Sequence, residues 1–407
     1  MLKLYPHQNK LLELNPKKHA LIHEMGTGKT ITSLELCIKN KQEPLIICPK
    51  GLKKGWEETI KRYYPTLKYV IYTKETFRRD YKKVSRYNCI IYDEIHYALG
   101  TKSAMMKTLR SYLSVHNPEF RYFLSGTVYR SSPFDVFMLC NLLDKKLDYW
   151  KFFNTYFYKI PMGNRMIPIV KKGIEEDIGK LARSVGSVLK LKECIDMPES
   201  IFNTENFKLN VKQIEAINLL EEVLPIVKYS KIHQICGGTL KGNEYEEDKI
   251  IGSPKADRLI ELSVELNRMI VVCRYNNEIE YLKQLLENTG KYVKVINGSV
   301  DGSNRYDILK DLEQRDEYIL LVNASVSEGW QLQNCCHMIF YSYSFELKNK
   351  LQMEGRLRRI DKPRPVFYLS LVCEKTIDED VISALNKSES FHIEIYNEDK
   401  TKPNISE

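Results

Sequence analysis

Short apolar runs rich in β-branched residues alternate with helix-length amphipathic segments from the N-terminus to about residue 145, and the alternation returns after about residue 254. Few folds satisfy that rhythm. Strands that are apolar on both faces belong inside a parallel sheet, and each parallel pair needs a crossover long enough to hold a helix. In the first half the strand candidates are "HALIH", "PLIICP", "LKYVIYT", "NCIIYDE" and "RYFLSGT". Helical stretches such as "KTITSLELCIKN" and "SAMMKTLRSYLSV" separate them, with apolar residues recurring three or four apart. In the second half the candidates are "RMIVVCRY", "YVKVING", "YILLVN", "HMIFYS" and "VFYLSLV", with helices near 277–289, 303–313, 345–354 and 377–387. The pattern predicts an α/β protein with two parallel-sheet lobes in tandem, residues 1–145 and 255–388. Residues 146–254 lose the strand rhythm and are expected to form a mainly helical insertion and connector; the polar stretch 389–407 is expected to be a flexible tail.

At 407 residues the chain is too long for one ordinary core, which agrees with two lobes. Its 43% hydrophobic and 28% charged residues are those of a globular protein, and no apolar run approaches the roughly 18 residues that a membrane-spanning helix needs. The start "MLKLYPHQNK" lacks the features of a secretory signal, so an intracellular, cytoplasmic setting with reduced thiols and no membrane partner is expected. Of the ten cysteines, Cys48, Cys89, Cys273 and Cys373 fall inside strand candidates, where a thiol behaves as a small hydrophobe. The cluster "CCHM" at Cys335, Cys336 and His337 has no second pair at metal-ligand spacing, and it reads as the start of a strand rather than a zinc site. A net charge of +9 and the local clusters "KGLKKGW", "KETFRRDYKK" and "RLRRIDKPRP" suit a polyanionic partner. The aromatic-dense "DYWKFFNTYFYKIP" offers rings that could stack on bases, but at helical spacing it reads first as local core.

Three segments carry chemistry. "MGTGKT" lies between a strand and a helix, the setting in which backbone N–H groups and a helix N-terminus face an anion. Gly26 and Gly28 let the backbone approach phosphates, Lys29 would reach the β- and γ-phosphates of ATP, and Thr30 would give a hydroxyl to Mg2+. His23 stands where the usual pattern has its first glycine. "CIIYDEIH" delivers Asp93 and Glu94 at the C-terminal end of a strand, where ligands bind in open α/β sheets. Asp93 can hold Mg2+ through water, and Glu94 can orient and deprotonate the water that attacks a γ-phosphate. "QMEGRLRRID" is expected to place Arg356 and Arg359 on one face of a helix, as guanidinium groups able to stabilise transition-state charge from the second lobe.

In order, "YPHQ", "EMGTGKT", "LIICPKGLKKGWEETIKRY", "YTKETF", "DEIHYALGTKSAMMKTL", "LSGTVYRSSPFDVFMLCNLL", "SPKADRLIEL", "VINGSVDGSNRYDIL", "SVSEGWQLQNC" and "QMEGRLRRIDKPRPVFYLSLV" resemble the successive motifs of superfamily-two helicase ATPases, and within them the Swi/Snf-type double-stranded DNA translocases. The resemblance runs from Tyr5 to about Leu385 and implies two RecA-like lobes. It also implies that Gln8 reads adenine and that Gly26, Thr27, Gly28, Lys29 and Thr30 hold the phosphates and Mg2+. His96, Ser125 and Thr127 would couple the ATP state to the grip on nucleic acid, and Gly329 with Arg356 and Arg359 would complete the site from the second lobe. Pro49, Lys50, Thr73, Asn297, Gly298, Ser325 and Val326 would contact the nucleic-acid backbone. The sequence departs from the Swi/Snf pattern at "DEIH", "GTG" and "RRIDK", none of which removes a catalytic group.

The function expected is an ATP-dependent nucleic-acid motor, with double-stranded DNA as the first choice of track and a compact phage or bacterial form as its closest type. A strand-separating DNA or RNA helicase, a catalytically inactive binding module and a small-molecule phosphotransferase are the alternatives. Which nucleic acid best stimulates ATP turnover separates the first of these from a duplex translocase. Intact Lys29, Asp93, Glu94 and Arg359 speak against the second, and the second lobe with its arginine-rich segment speaks against the third.

Overall fold

The computed structural model describes residues 3–100, 103–126, 132–162, 165–196, 198–220, 225–242, 247–326, 330, 332–358 and 364–387. The chain divides into two compact units, residues 1–196 and 197–407. The strands of the first are β1 (Lys18–His23), β2 (Pro44–Cys48), β3 (Val70–Thr73), β4 (Cys89–Tyr92), β5 (Phe120–Ser125), β6 (Phe157–Met162), β7 (Arg165–Val170) and β8 (Gly186–Leu189). Those of the second are β9 (Ile201–Phe207), β10 (Thr239–Leu240), β11 (Lys249–Ile250), β12 (Arg268–Cys273), β13 (Val293–Ile296), β14 (Tyr318–Asn323), β15 (His337–Phe340) and β16 (Phe367–Cys373).

Each unit is built on a six-stranded parallel sheet, in the order β3-β2-β4-β5-β1-β8 in the first and β13-β14-β12-β15-β16-β9 in the second. This is the tandem α/β architecture expected from the sequence. The apolar runs form the strands because both faces of each sheet are covered. In the first unit Ile22, Leu45, Ile47, Ile90, Tyr92 and Phe123 enter one core, while their strand neighbours Leu21, Ile46, Cys48, Cys89, Ile91 and Leu124 enter the other. That is period-two alternation with both faces apolar. Cys48, Cys89, Cys273 and Cys373 are all buried in strands, as their settings predict.

The stretch 146–254 departs from the mainly helical connector. It holds helices, but it also supplies β8 to the first sheet and β9 to the second, and it forms the antiparallel pairs β6–β7 and β10–β11. The physical reason is that edge strands need only one apolar side. β9, "IFNTENF", is largely exposed and mostly polar. β8 begins at Gly186, where a Cβ would lie 2.1 Å from the carbonyl oxygen of Ala20, so close pairing with β1 requires a residue without a side chain.

The second unit buries an ion pair beneath the C-terminal ends of β12, β15 and β16. Lys255, fully buried at the start of helix Pro254–Glu265, donates to Asp378 Oδ2 at 2.8 Å and to the Tyr341 carbonyl at 2.9 Å. His233 Nε2 lies 3.4 Å from Asp378 Oδ1, and burial pushes its pKa down to about 3 despite that carboxylate. Removing one partner of such a pair strands the other charge in the core. Lys255→Met is therefore expected to lower stability by about 3–5 kcal/mol, read as a fall in the urea midpoint, and the double variant Lys255→Met/Asp378→Leu to recover most of it.

Candidate active site

The glycine loop leaves β1 at His23 and enters helix Lys29–Lys39 through Gly28. Gly26 and Gly28 both have φ of 83°, in the left-handed region that a Cβ disfavours. A Cβ on Gly28 would also stand 2.7 Å from Gln8 Nε2. The first N–H groups of the helix have no intrahelical acceptor and face out of the loop, which makes a cradle for an anion. Lys29 Nζ donates to the carbonyl oxygens of His23 at 2.7 Å and Glu24 at 3.1 Å, while Thr27 Oγ1 donates to the Glu24 carbonyl at 2.8 Å. Thr30 sits in the first helical turn. These groups fit a triphosphate with its Mg2+: glycine backbone for close approach, one ammonium and one hydroxyl.

Gln8 is buried in helix Pro6–Leu14 and is bound to this loop. Its Nε2 donates to the Gly28 carbonyl at 3.3 Å and to Thr32 Oγ1 at 3.1 Å, and its Oε1 accepts from Tyr5 N at 2.9 Å. Beside it, His7 Nε2 lies 3.0 Å from the Thr27 carbonyl. His23 fills the space of the missing glycine without straining the loop, because its ring turns toward β8, with Nε2 2.6 Å from Ser187 Oγ. The same hydroxyl lies 3.0 Å from His19 Nε2. The sequence reading missed Ser187, which carries no motif signal.

The acidic pair follows β4 on the same sheet edge. Asp93 is buried; its N–H donates to the Ile47 carbonyl at 2.8 Å. Its Oδ2 accepts from Trp56 Nε1 at 2.9 Å and its Oδ1 from Glu94 N at 3.0 Å. Burial, reinforced by the charge of Glu94, pushes the Asp93 carboxyl up to about 6, with Trp56 and Lys29 pulling the other way. Trp56 belongs to helix Lys53–Tyr63, in a segment read from sequence for its cations and as one of the resembling motifs but with no role for the indole; a lone indole in a charged helix was the available signal. Glu94 has φ of 53° and ψ of 50°, a left-handed conformation that is costly for a residue with a side chain. From there Glu94 Oε2 lies 3.2 Å from His96 Nδ1, which lies 3.1 Å from Ser125 Oγ at the end of β5. Structure thus brings Glu94, His96 and Ser125 into one buried chain across β4 and β5. Thr127 lies outside the described residues.

The remaining positions fall mostly on strand ends. Pro49 opens the turn Lys50–Leu52 after β2, with Lys50 exposed. Thr73, at the end of β3, caps helix Lys74–Asp80 by accepting from Thr76 N at 3.2 Å. In the second unit Asn297 accepts from Ser299 N and Oγ, and Gly298 follows it in the turn after β13. After β14, Ser325 donates through N and Oγ to Asn323 Oδ1 at 2.9 and 2.7 Å, and the Val326 side chain is buried in the core. Arg356 corrects the expected helix. Helix Leu347–Glu354 ends at the Gly355 cap, and Arg356 lies in the following turn, buried, with Nη1 donating to the Trp330 carbonyl at 2.9 Å. The glycine, a poor helix former, and that inward hydrogen bond account for the break. Arg359 and Gly329 lie outside the described residues. Sequence reading also missed Arg274 at the end of β12, whose guanidinium lies 3.7 Å from the Phe345 ring centroid.

A glycine loop and an acidic pair on one parallel sheet edge are the parts that a nucleotide-binding α/β site needs, and comparison with known proteins bears on that reading. Residues 11–87 match the SNF2-related domain and residues 254–361 the helicase conserved C-terminal domain. The chain thus carries, in that order, regions similar to an SNF2-related domain and to a helicase C-terminal domain. It is 21% identical over 421 residues to chromodomain-helicase-DNA-binding protein 1-like of Danio rerio, covering 88% of this chain and 40% of that protein. It is 22% identical over 213 residues to the uncharacterized ATP-dependent helicase YqhH of Bacillus subtilis, covering 52% of this chain and 35% of that protein. The chain thus spans less than half the length of these curated relatives. Among solved structures it is similar to the Sulfolobus solfataricus SWI2/SNF2 ATPase core in complex with dsDNA, with a TM-score of 0.43 and 17% identity over 95% of this chain and 91% of that one. No described helix is long and apolar enough to cross a membrane.

The buried imidazoles behind the loop make stability depend on pH. Burial lowers His19 to about 4 and, with Lys29 and its histidine neighbours, His23 to about 2. An unfolded chain takes up these protons near 6.5, so between 6.5 and about 4 the unfolded state binds more protons and stability falls as pH falls. The thermal midpoint is expected to be lower at pH 5 than at pH 7, and the drop to be smaller in a His19→Gln variant.

Proposed function

We propose that the protein is an ATP-driven motor that tracks along double-stranded DNA, in a compact bacterial or phage setting. The observation that carries this is the chain Glu94–His96–Ser125, which starts at the acid next to Asp93, whose carboxyl feels the charge of Lys29, and ends on the neighbouring strand. Lys29 and the backbone of Gly26, Thr27 and Gly28 hold the triphosphate, with Gln8 fixing the loop from behind and reading the base. Thr30 and, through water, Asp93 hold Mg2+, which when bound would neutralise charge on the β- and γ-phosphate oxygens. Glu94 accepts a proton from the water that attacks the γ-phosphorus, the bond to the ADP oxygen breaks, and phosphate and ADP are released. His96 then senses whether Glu94 faces a phosphate, and passes that state to Ser125 and Thr127.

From the second unit, Arg356 and Arg359 supply positive charge to the transition state, with Gly329 beside them. Pro49, Lys50, Thr73, Asn297, Gly298, Ser325 and Val326 grip phosphate oxygens. Backbone contacts make motion largely independent of base sequence and strongly dependent on salt.

Glu94→Gln is expected to keep ATP binding and to lower turnover by about 10²–10⁴-fold; Arg359→Ala should also bind ATP and fail to hydrolyse it. Turnover measured with duplex DNA, single-stranded DNA and RNA should be highest with the duplex. Undiminished turnover in Glu94→Gln would overturn the reading, and stimulation by single strands or RNA alone would replace it with a strand-separating helicase.

The acidic limb of turnover should follow Asp93, which loses its charge as pH falls through about 6. Trp56→Phe removes a donor that stabilises this carboxylate, so the limb should move to higher pH. A pH profile of wild type and variant checks the direction.

A further inference from the structure

The aromatic-dense segment before and within β6 divides in the structure. Phe152, Phe153 and Phe157 are buried with Phe134 and Phe137, as a local core. Tyr149 and Trp150, on the outer face of helix Tyr149–Tyr156, are not. Tyr149 stacks on Phe134 with centroids 5.6 Å apart and planes 13° from parallel, and Trp150 meets Tyr149 edge-on at 5.2 Å and Phe153 at 6.2 Å. The outer rings are thus held from behind by packed rings, and Trp150 remains 60% exposed. Trp150 and Tyr149, 60% and 44% exposed and in contact with each other, form a continuous exposed aromatic surface that a partner could cover.

Charge identifies the partner. Residues 145–172 hold seven Lys or Arg and one acid, Asp148, whose carboxylate caps the helix by accepting from Lys151 N. Lys159 reaches from β6 over this face, with Nζ 5.5 Å from the Trp150 ring centroid and 5.3 Å from that of Phe153. Among the described residues, Lys146, Lys151, Lys159 and Lys172 form no ion pair with a carboxylate. A flat exposed ring flanked by unpaired ammonium groups matches a base with its phosphates, and base faces are open to a side chain only where the strand is unpaired. A folded protein partner would have to leave this positive charge uncompensated or supply acids for it.

We propose that the outer face of helix Tyr149–Tyr156, with Lys159, is a second nucleic-acid site that takes unpaired nucleotides, a base stacking on Trp150 and phosphates meeting Lys159 and Lys151. It rests on the motor reading only for the choice of a nucleic acid as partner. For a motor on duplex DNA, such a site holds a displaced or flanking single strand outside the catalytic motifs.

The molecule carries its own probe. Of three tryptophans, Trp56 and Trp330 are 3% and 2% exposed, so a change of emission on adding an oligonucleotide reports Trp150. Oligothymidylate titrated into the full chain without ATP should quench the emission, and a blunt duplex of equal length should quench it less. By anisotropy of a labelled oligothymidylate, Trp150→Ala should bind about 5- to 100-fold more weakly. Trp150→Phe should bind nearly as wild type without the signal, and Lys159→Ala should reduce the slope of log affinity against log salt by about 0.7. Absence of quenching, or equal affinity in Trp150→Ala, would overturn the site; so would quenching that grows with protein concentration alone, which would mark the face as a contact between copies. Lys29→Ala should leave the quenching unchanged. Quenching without nucleic-acid-stimulated ATP turnover would sink the motor and keep the site, whereas stimulated turnover with a silent Trp150 would do the reverse.

Discussion

Parallel pairing makes all the strands of a sheet end on one edge, and most candidate functional groups of the first unit depend on that constraint. β1 ends in the glycine loop, β2 in Pro49 and Lys50, β3 in Thr73, β4 in the acidic pair and β5 in Ser125. Residues far apart in sequence therefore become neighbours without any loop having to travel. The second unit repeats the device, with Asn297 after β13, Ser325 after β14 and Arg274 at the end of β12. In such sheets ligands bind outside the carboxyl ends of the strands.

Burial then tunes what the edge presents. Asp93 is fixed by the indole of Trp56 and by the N–H of Glu94, so its orientation is set before any ligand arrives. Glu94 is held in a left-handed conformation, and its side chain is thereby turned toward His96 rather than continuing the line of the strand. Strain at such a residue persists only where the surroundings over-determine it. Here the surroundings are the buried Ile95 and His96, which form a short turn immediately after it.

Most of this was legible in the sequence. Ten strands could be read because parallel strands covered on both faces are continuous apolar runs, and the glycine loop and acidic pair could be read because their chemistry needs fixed residue types at fixed places. What escaped obeys weaker rules. β8 and β9 are edge strands, one dependent on a glycine for close approach and the other mostly polar, so neither shows the apolar signature. Trp56 acts through one hydrogen bond and Ser187 through two, all to distant segments, a relation that no local pattern records. Arg356 was expected on a helix because three-residue spacing fits one, but Gly355 ends the helix and the guanidinium turns inward to the Trp330 carbonyl.

The position of β8 has a mechanical meaning. Glu24, the second residue of the glycine loop's approach, accepts from Leu191 N at 2.8 Å through its carboxylate and donates its own N–H to the Leu189 carbonyl at 2.9 Å. The backbone that leaves the first unit is therefore clamped to the loop a few residues before it departs. Any shift of the loop would have to carry that outgoing segment with it or break both hydrogen bonds, one made by the main chain and one by a carboxylate.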